Sequence, residues 1–272
     1  MPLFLRILLL LAVALGGFYV LVCVVLFVKQ REFIYPAPRA PLRTPPQQLG
    51  YRVLAQPQGD ALHVLDLPGP AGAPTVVYLH GNGEQLLDCL GMGEWMQEQG
   101  LGFLAVEYPG YGFAPGAPTE KGIYAVGEAA LAFLRARGVR PQDTVLFGRS
   151  LGTGVAVEMG RRGRAARMVL VSPYTSMADL AHQAFRWLPT RMLLRDRYDS
   201  ERKAADLKVP VLVLHGEQDT LIPVEMGRRL AERLPDARFI PVPRVGHSDI
   251  LASLEDPLLG RIAAFARHGH TE

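Results

Sequence analysis

The sequence predicts an α/β fold: a mostly parallel central sheet with helices on both faces and a short lid, preceded by one N-terminal transmembrane helix. Three observations predict it. Apolar, β-rich runs alternate with stretches of helical periodicity from about residue 50 onward, about 40 residues of mixed character separate two of the later strands, and the chain opens on an uninterrupted apolar run. With 272 residues, 49% of them hydrophobic and 20% charged, one sizeable core suffices and no second globular domain is demanded. The chain divides into an anchor over residues 1–30, a proline-rich linker over 31–48 and one α/β domain over 49–268, with the lid at about 173–208.

From Ile7 to Val28 roughly 22 residues pass without a charge, and a helix of that length crosses a hydrocarbon core of about 30 Å. The rival is a cleaved signal peptide, because Ala12-Val13-Ala14 is a small-x-small site. Cleavage there would leave a mature chain starting with more than a dozen apolar residues, so the anchor is the physically easier reading. Arg6 precedes the run, while Lys29, Arg31, Arg39 and Arg43 follow it, offset by Glu32. The positive-inside rule then puts the α/β domain in the cytoplasm; a short basic N-terminus before one apolar helix is also how signal anchors export their domain. Arg far outnumbers Lys while Ala, Gly and Pro abound, a bias of a GC-rich, bacterial genome, and with the anchor this makes a bacterial inner membrane the expected location. Pro36, Pro38, Pro41, Pro45 and Pro46 disfavour helix and sheet and predict an extended spacer.

Residues near 51–56 and 61–67, with Pro57, Gly59 and Asp60 between them, read as a hairpin. Strands follow at Thr75–Leu79, Gly102–Val106, Thr144–Phe147, Met168–Val171, Val211–Leu214 and about 238–242. Helices are expected from Glu84 to Gln99, from Glu120 to Arg137, directly after Ser150, near Glu225–Leu234, and from about Asp249 to Arg267.

The net charge of +3 and pI near 8.9 arise from dispersed Arg, with no basic block that would track phosphates, which argues against nucleic acid as a partner. Cys23 lies in the apolar run and cannot reach Cys89, so neither a disulfide nor a cysteine metal site is expected.

Chemistry concentrates in Gly148-Arg149-Ser150-Leu151-Gly152, a G-x-S-x-G sequence between an apolar strand and a helix. That context makes Ser150 a nucleophile on a tight turn, with glycines two residues either side because side chains there would collide. In this architecture the acid and then the histidine follow the serine, each on a loop after a strand. Asp219, in His215-Gly216-Glu217-Gln218-Asp219, meets the first requirement, with Glu217 as the alternative acid; His247, in Val245-Gly246-His247-Ser248, meets the second. The remaining histidines read as structural or solvated. The developing oxyanion needs backbone donors: the Leu151 amide at a helix start is one, and the Asn82 amide in His80-Gly81-Asn82-Gly83 is the other. The Asn82 side chain has an equally open alternative role as cap of the next helix.

Taken together, HGNGE at 80–84, EYPGYGFAPGAPTEKGIY at 107–124, GRSLGTGVA at 148–156, HGEQDTLIP at 215–223 and GH at 246–247 resemble the Bem46-like branch of the α/β-hydrolase superfamily. That branch includes membrane-anchored serine hydrolases related to the ABHD13 and ABHD17 proteins. The resemblance implies the α/β-hydrolase fold, Ser150, Asp219 and His247 as triad, and the Asn82 and Leu151 amides as oxyanion hole. Glu107 departs from the Asp usual at that position and is expected to brace a loop. The chain also lacks the N-terminal cysteine cluster of depalmitoylating relatives, which speaks against palmitoyl-protein specificity.

Tyr174, Phe185, Trp187 and Leu188 are the expected apolar surface for an acyl chain. The expected activity is hydrolysis of medium-chain carboxylesters or thioesters through an acyl-enzyme, with no metal or cofactor. A serine peptidase or amidase is the second reading, and a non-catalytic membrane-tethered scaffold the third. The sequence carries no signal for oligomeric state.

Overall fold

A long run of apolar residues rich in Leu and Ala favours a helix, which closes its backbone hydrogen bonds within the segment. Accordingly, α1 (Leu3–Ile34) is one unbroken 32-residue helix in the computed structural model, which describes residues 2–38, 50–55, 61–252 and 256–270. Its most apolar 18-residue window has a mean hydropathy of 2.8, and the helix is long and apolar enough to cross a membrane. It runs four residues beyond the predicted anchor, and the segment after it is docked where a free spacer was expected. Tyr35 is 4% exposed with its hydroxyl 3.0 Å from that of Tyr198, and Gly112 N–H donates to the Pro38 carbonyl at 2.8 Å. The linker's remaining prolines, Pro41, Pro45 and Pro46, lie outside the described residues, as does the turn at Pro57, Gly59 and Asp60.

The eight strands are β1 (Tyr51–Leu54), β2 (Leu62–Leu67), β3 (Thr75–Leu79), β4 (Gly102–Val106), β5 (Thr144–Arg149), β6 (Arg167–Val171), β7 (Val211–Gly216) and β8 (Ala237–Val242). They form one sheet in the order β1-β2-β4-β3-β5-β6-β7-β8. The β1–β2 and β2–β4 pairs are antiparallel and every later pair is parallel. Helices cover both faces, so the parallel strands read as continuous apolar runs. Val77, Leu79, Leu146 and Leu170 point into one core layer, Val76, Tyr78, Phe147 and Val169 into the other.

The first layer packs against α3 (Glu120–Ala136), α4 (Leu151–Arg161) and α8 (Val224–Arg233); the second against α2 (Leu90–Glu98) and α9 (Asp256–His268). Two helices are shorter than the sequence suggested. The helix expected from Glu84 begins only with a 3₁₀ turn at Leu86–Cys89, because the Glu84 carboxylate is held by Gly81 N–H and Arg149 while Gln85 and Asp88 cap the turn reciprocally. The last helix starts at Asp256, not Asp249; residues 249–252 form turns that bury Ile250 after the histidine loop. Between β6 and β7 lie α5 (Met177–Ala184), α6 (Thr190–Leu193) and α7 (Ser200–Ala204).

An ionic cluster joins α4 to α7. Glu158, 4% exposed, accepts from Arg161 at 3.0 Å and Arg162 at 2.8 Å and pairs with Lys203 at 2.9 Å. Burial raises its pKa, but these donors outweigh burial and hold it at about 2, against an ordinary 4.5. A carboxylate depressed on folding adds stability above its unfolded pKa, and that stability is lost as pH falls towards the folded one. Glu158→Gln is therefore expected to flatten the acid limb of a stability-pH curve between about pH 4.5 and 2, in urea titrations by tryptophan fluorescence. An unchanged limb would show that the cluster gives no net stability.

Candidate active site

The ends of β3, β5, β7 and β8 lie along one edge of the sheet, near the point where strand order reverses and open α/β sheets bind their ligands. Between β5 and α4 the chain turns at Ser150, whose φ of 48° and ψ of −115° are strained for a residue with a side chain. The flanking glycines allow the turn. A Cβ on Gly148 would stand 2.7 Å from the Gly152 oxygen and the Thr153 Cα, and one on Gly152 would overlap the Leu79 carbonyl. The Ser150 N–H donates to the Val171 carbonyl at 2.9 Å, and the Ser150 carbonyl accepts from Thr153 Oγ1 at 2.6 Å, fixing the turn from both sides.

Asp219 is held by its own loop: Oδ1 accepts Leu221 N–H at 3.0 Å and Ile222 N–H at 2.7 Å. Its Oδ2 lies 2.7 Å from His247 Nδ1. A carboxylate only accepts, so Nδ1 carries the proton and Nε2 presents a lone pair, 3.0 Å from Ser150 Oγ, to which the hydroxyl donates. The structure thus brings the three predicted residues into one relay, while Glu217, the alternative acid, points to solvent. The histidine loop reaches the acid because β7 ends in glycine. A Cβ on Gly216 would collide with the Val245 carbonyl, and Gln218 N–H donates to that oxygen at 2.9 Å.

Burial raises the Asp219 pKa, yet hydrogen bonds from His215, His247 and the Ile222 N–H outweigh it and hold the carboxyl well below the usual carboxylate range. His215 was missed as a site residue. Its Nε2 donates to the Ile222 carbonyl at 2.8 Å and stands 3.3 Å from Asp219 Oδ2, the same oxygen that faces His247, so it helps to hold the acid. Glu84 and Arg149 were missed too. Arg149 Nη1 donates to Glu84 Oε1 at 2.5 Å and Nη2 to the Ser248 carbonyl at 3.0 Å, linking the elbow to the loop after β3 and to the histidine loop. The signal was available: a charged x in G-x-S-x-G beside a Glu directly after the glycine-rich loop.

Asn82 lies on that loop beside Ser150 and Leu151. Its side chain does not cap the next helix. Its Nδ2 donates to the Ile34 carbonyl at the end of α1, and its Oδ1 accepts from the Tyr111 hydroxyl. Glu107 braces the same region as expected: one oxygen accepts Leu86 N–H at 3.1 Å and the other faces His80 Nε2 at 3.2 Å.

Over Ser150 opens a cavity of about 490 Å³, a size suited to a small ligand. Tyr174, Phe185 and Leu188 line it, as the sequence suggested; the buried Tyr174 hydroxyl donates to the Leu151 carbonyl at 3.2 Å. Trp187 does not. It is 58% exposed and packs against Tyr19 of α1, ring centres 6.2 Å apart, while its carbonyl accepts the Tyr19 hydroxyl at 2.9 Å.

A strand-ordered α/β sheet with a serine on a strained strand-to-helix turn, facing a carboxylate-backed imidazole, defines the α/β-hydrolase class. The chain belongs to the α/β-hydrolase family. The family model described as "Serine aminopeptidase, S33" matches residues 71–195, and one described as "TAP-like protein" matches residues 189–272. Protein Rv2307c of Mycobacterium tuberculosis is 34% identical over 83% of this chain and 84% of its own. Alpha/beta hydrolase domain-containing protein 17C of Xenopus tropicalis is 33% identical over 73% of this chain and 63% of its own, so this chain spans less than two thirds of that relative. Among solved structures, the monoacylglycerol lipase of Paleococcus ferrophilus superposes with a TM-score of 0.59 at 20% identity, over 75% of this chain and 98% of its own. That likeness is one of fold.

Proposed function

We propose that the chain is a membrane-anchored serine hydrolase that cleaves carboxylester or thioester bonds of medium-chain acyl substrates. One observation carries the reading: the Asp219–His247–Ser150 relay, with contacts of 2.7 and 3.0 Å, ends in a serine that lines an apolar cavity. Ser150 Oγ attacks the acyl carbonyl while its proton passes to His247 Nε2, and Asp219 stabilises the imidazolium. The carbonyl oxygen becomes an oxyanion received by the Asn82 and Leu151 amides. The tetrahedral adduct collapses as His247 returns the proton to the departing alkoxide or thiolate, leaving Ser150 acylated. Water, deprotonated by the same imidazole, then attacks the acyl-serine; collapse releases the acid and restores Ser150–H. α1 supports the anchor, and the cationic residues after the apolar run favour a cytoplasmic catalytic domain at a bacterial inner membrane.

The test is labelling with a fluorophosphonate together with p-nitrophenyl esters of graded chain length. Wild type is expected to be labelled once, at Ser150, and to hydrolyse medium-chain esters best. No labelling of folded protein, or equal labelling of Ser150→Ala, would sink the assignment. The family description "Serine aminopeptidase" favours a second reading, amide cleavage. Aminoacyl p-nitroanilides decide between them, since turnover of these at rates matching the esters would replace the first reading by the second. A reporter fused after Glu272 gives the side of the membrane.

A further inference from the structure

One wall of the cavity over Ser150 is the anchor helix itself: Leu26, Phe27, Gln30, Phe33 and Ile34 line it. Facing them are Leu180 and Ala184 of α5, Leu193 of α6 and Leu194. This side of α1 is legible in burial, not hydropathy. Val22, Cys23, Leu26, Phe27, Gln30 and Ile34 are the least exposed residues of the helix, and their spacing of three and four draws a single stripe.

The wall is fixed in place. Gln30, 7% exposed, donates through Nε2 to the Leu193 carbonyl at 3.2 Å and accepts Arg195 N–H at 2.7 Å through Oε1. Arg195 lies over the Phe27 ring at 4.1 Å, and Arg31 pairs with Asp196 at 2.9 Å. The last carbonyl of α1 is held by the Asn82 side chain, whose own amide is the proposed oxyanion donor.

The lid meets α1 far above the cavity too, since Tyr19 donates to the Trp187 carbonyl. Tyr19 stands nine residues before Val28, where the apolar run ends, which is about 14 Å along a helix. With the run across a bilayer, the lid tip reaches into the hydrocarbon of the near leaflet. Its exposed side chains suit that setting: Phe185 is 48%, Trp187 58% and Met192 86% exposed. Phe33 and Phe185 line the cavity while being exposed, so they stand at its rim, one on α1 and one on the lid.

We propose that α1 is part of the substrate site, and that the substrate is a bilayer-resident acyl ester or thioester whose chain enters from the leaflet between α1 and the lid and lies along Leu26, Phe27 and Phe33. This rests on the serine hydrolase reading above. On the lid side of the rim, Phe185 lies two residues from Trp187, which meets Tyr19 inside the apolar run, so a water-borne acyl chain would have to cross the membrane surface to enter there. A chain already in the leaflet slides from lipid to an apolar wall without meeting water. The anchor then sets acyl specificity as well as location.

The test uses full-length protein in phosphatidylcholine vesicles. A fluorophosphonate with a dodecyl chain ending in a diazirine is reacted with Ser150, photolysed, and the adduct mapped by mass spectrometry. Adducts on residues 22–34 are expected; adducts confined to the lid overturn the proposal. In parallel, Leu26→Trp, which fills the cavity, is expected to lower the laurate-to-butyrate ratio of kcat/KM by about tenfold or more, and Leu26→Ala to raise it. The diazirine mapping stands whether or not Leu26→Trp folds, and an unchanged ratio in both variants overturns the proposal. Failure of the serine reading looks different, for wild type would then not react with the fluorophosphonate at all.

Discussion

Ser150→Ala is expected to lower kcat/KM for a medium-chain ester by about 10⁵-fold or more, His247→Ala by a similar factor, and the double variant by little beyond either. The non-additivity is the informative part. In the proposed mechanism Ser150 Oγ becomes a nucleophile because His247 Nε2, 3.0 Å away, takes its proton as the bond forms. Removing the base leaves an unactivated hydroxyl, and removing the hydroxyl leaves a base with nothing to activate. Asp219→Asn is expected to cost about 10⁴-fold with the geometry kept. An amide nitrogen at the Oδ2 position would donate to Nδ1, shift the imidazole proton to Nε2, and so remove the lone pair that Ser150 needs. Stopped assays on purified protein, with near-UV circular dichroism as a folding control, read all three. Losses that multiplied in the double variant would mean that Ser150 and His247 act in separate steps, contrary to a shared proton.

The sites that were legible in the sequence share a physical reason. A nucleophile elbow must have small residues at fixed offsets, and acid and base must sit just past strand ends, so Ser150, Asp219 and His247 were marked by local context. The alternation of strands and helices was legible for the same reason: burial on both faces leaves an apolar run that few other arrangements tolerate. What was illegible depends on contacts between distant segments. The docking of α1 on the lid joins Gln30 to Leu193 and Arg31 to Asp196, 163 and 165 residues away. A uniformly apolar helix hides which of its sides meets protein and which does not. The docking of Tyr35 against Tyr198 turned the start of a predicted spacer into packed structure. Trp187 was misassigned because an aromatic in a lid looks the same whether it faces inward to a pocket or outward to a neighbouring helix. His215 was read with the remaining histidines as structural or solvated, since nothing local shows that its Nε2 reaches the Asp219 carboxylate.

Gly152→Val is expected to abolish the folded state, where most single changes cost only about 0.5–3 kcal/mol. A Cβ at this position would overlap the Leu79 carbonyl oxygen and stand 2.5 Å from its carbon and 2.8 Å from the His80 oxygen. None of these is the movable end of a side chain. They belong to β3 in the middle of the sheet and to the first residue of the loop beyond it. The valine must therefore push α4 off β3 and pull the turn at Ser150 apart, and total stabilities of about 5–15 kcal/mol leave no room for that. Expression is expected to yield insoluble protein, or soluble protein without a cooperative thermal transition by calorimetry. Gly260→Ala is the control. It lies in α9 with nothing within 4 Å of the added Cβ, and is expected to raise Tm by a few degrees through helix propensity alone. A Gly152→Val protein melting near wild type would show that α4 can withdraw from β3 without loss. The expected collapse bears on catalysis too. The contact that excludes a side chain at 152 is what brings the first turn of α4 against the loop after β3, and so sets Leu151 near Asn82, the two residues whose amides are proposed to receive the oxyanion.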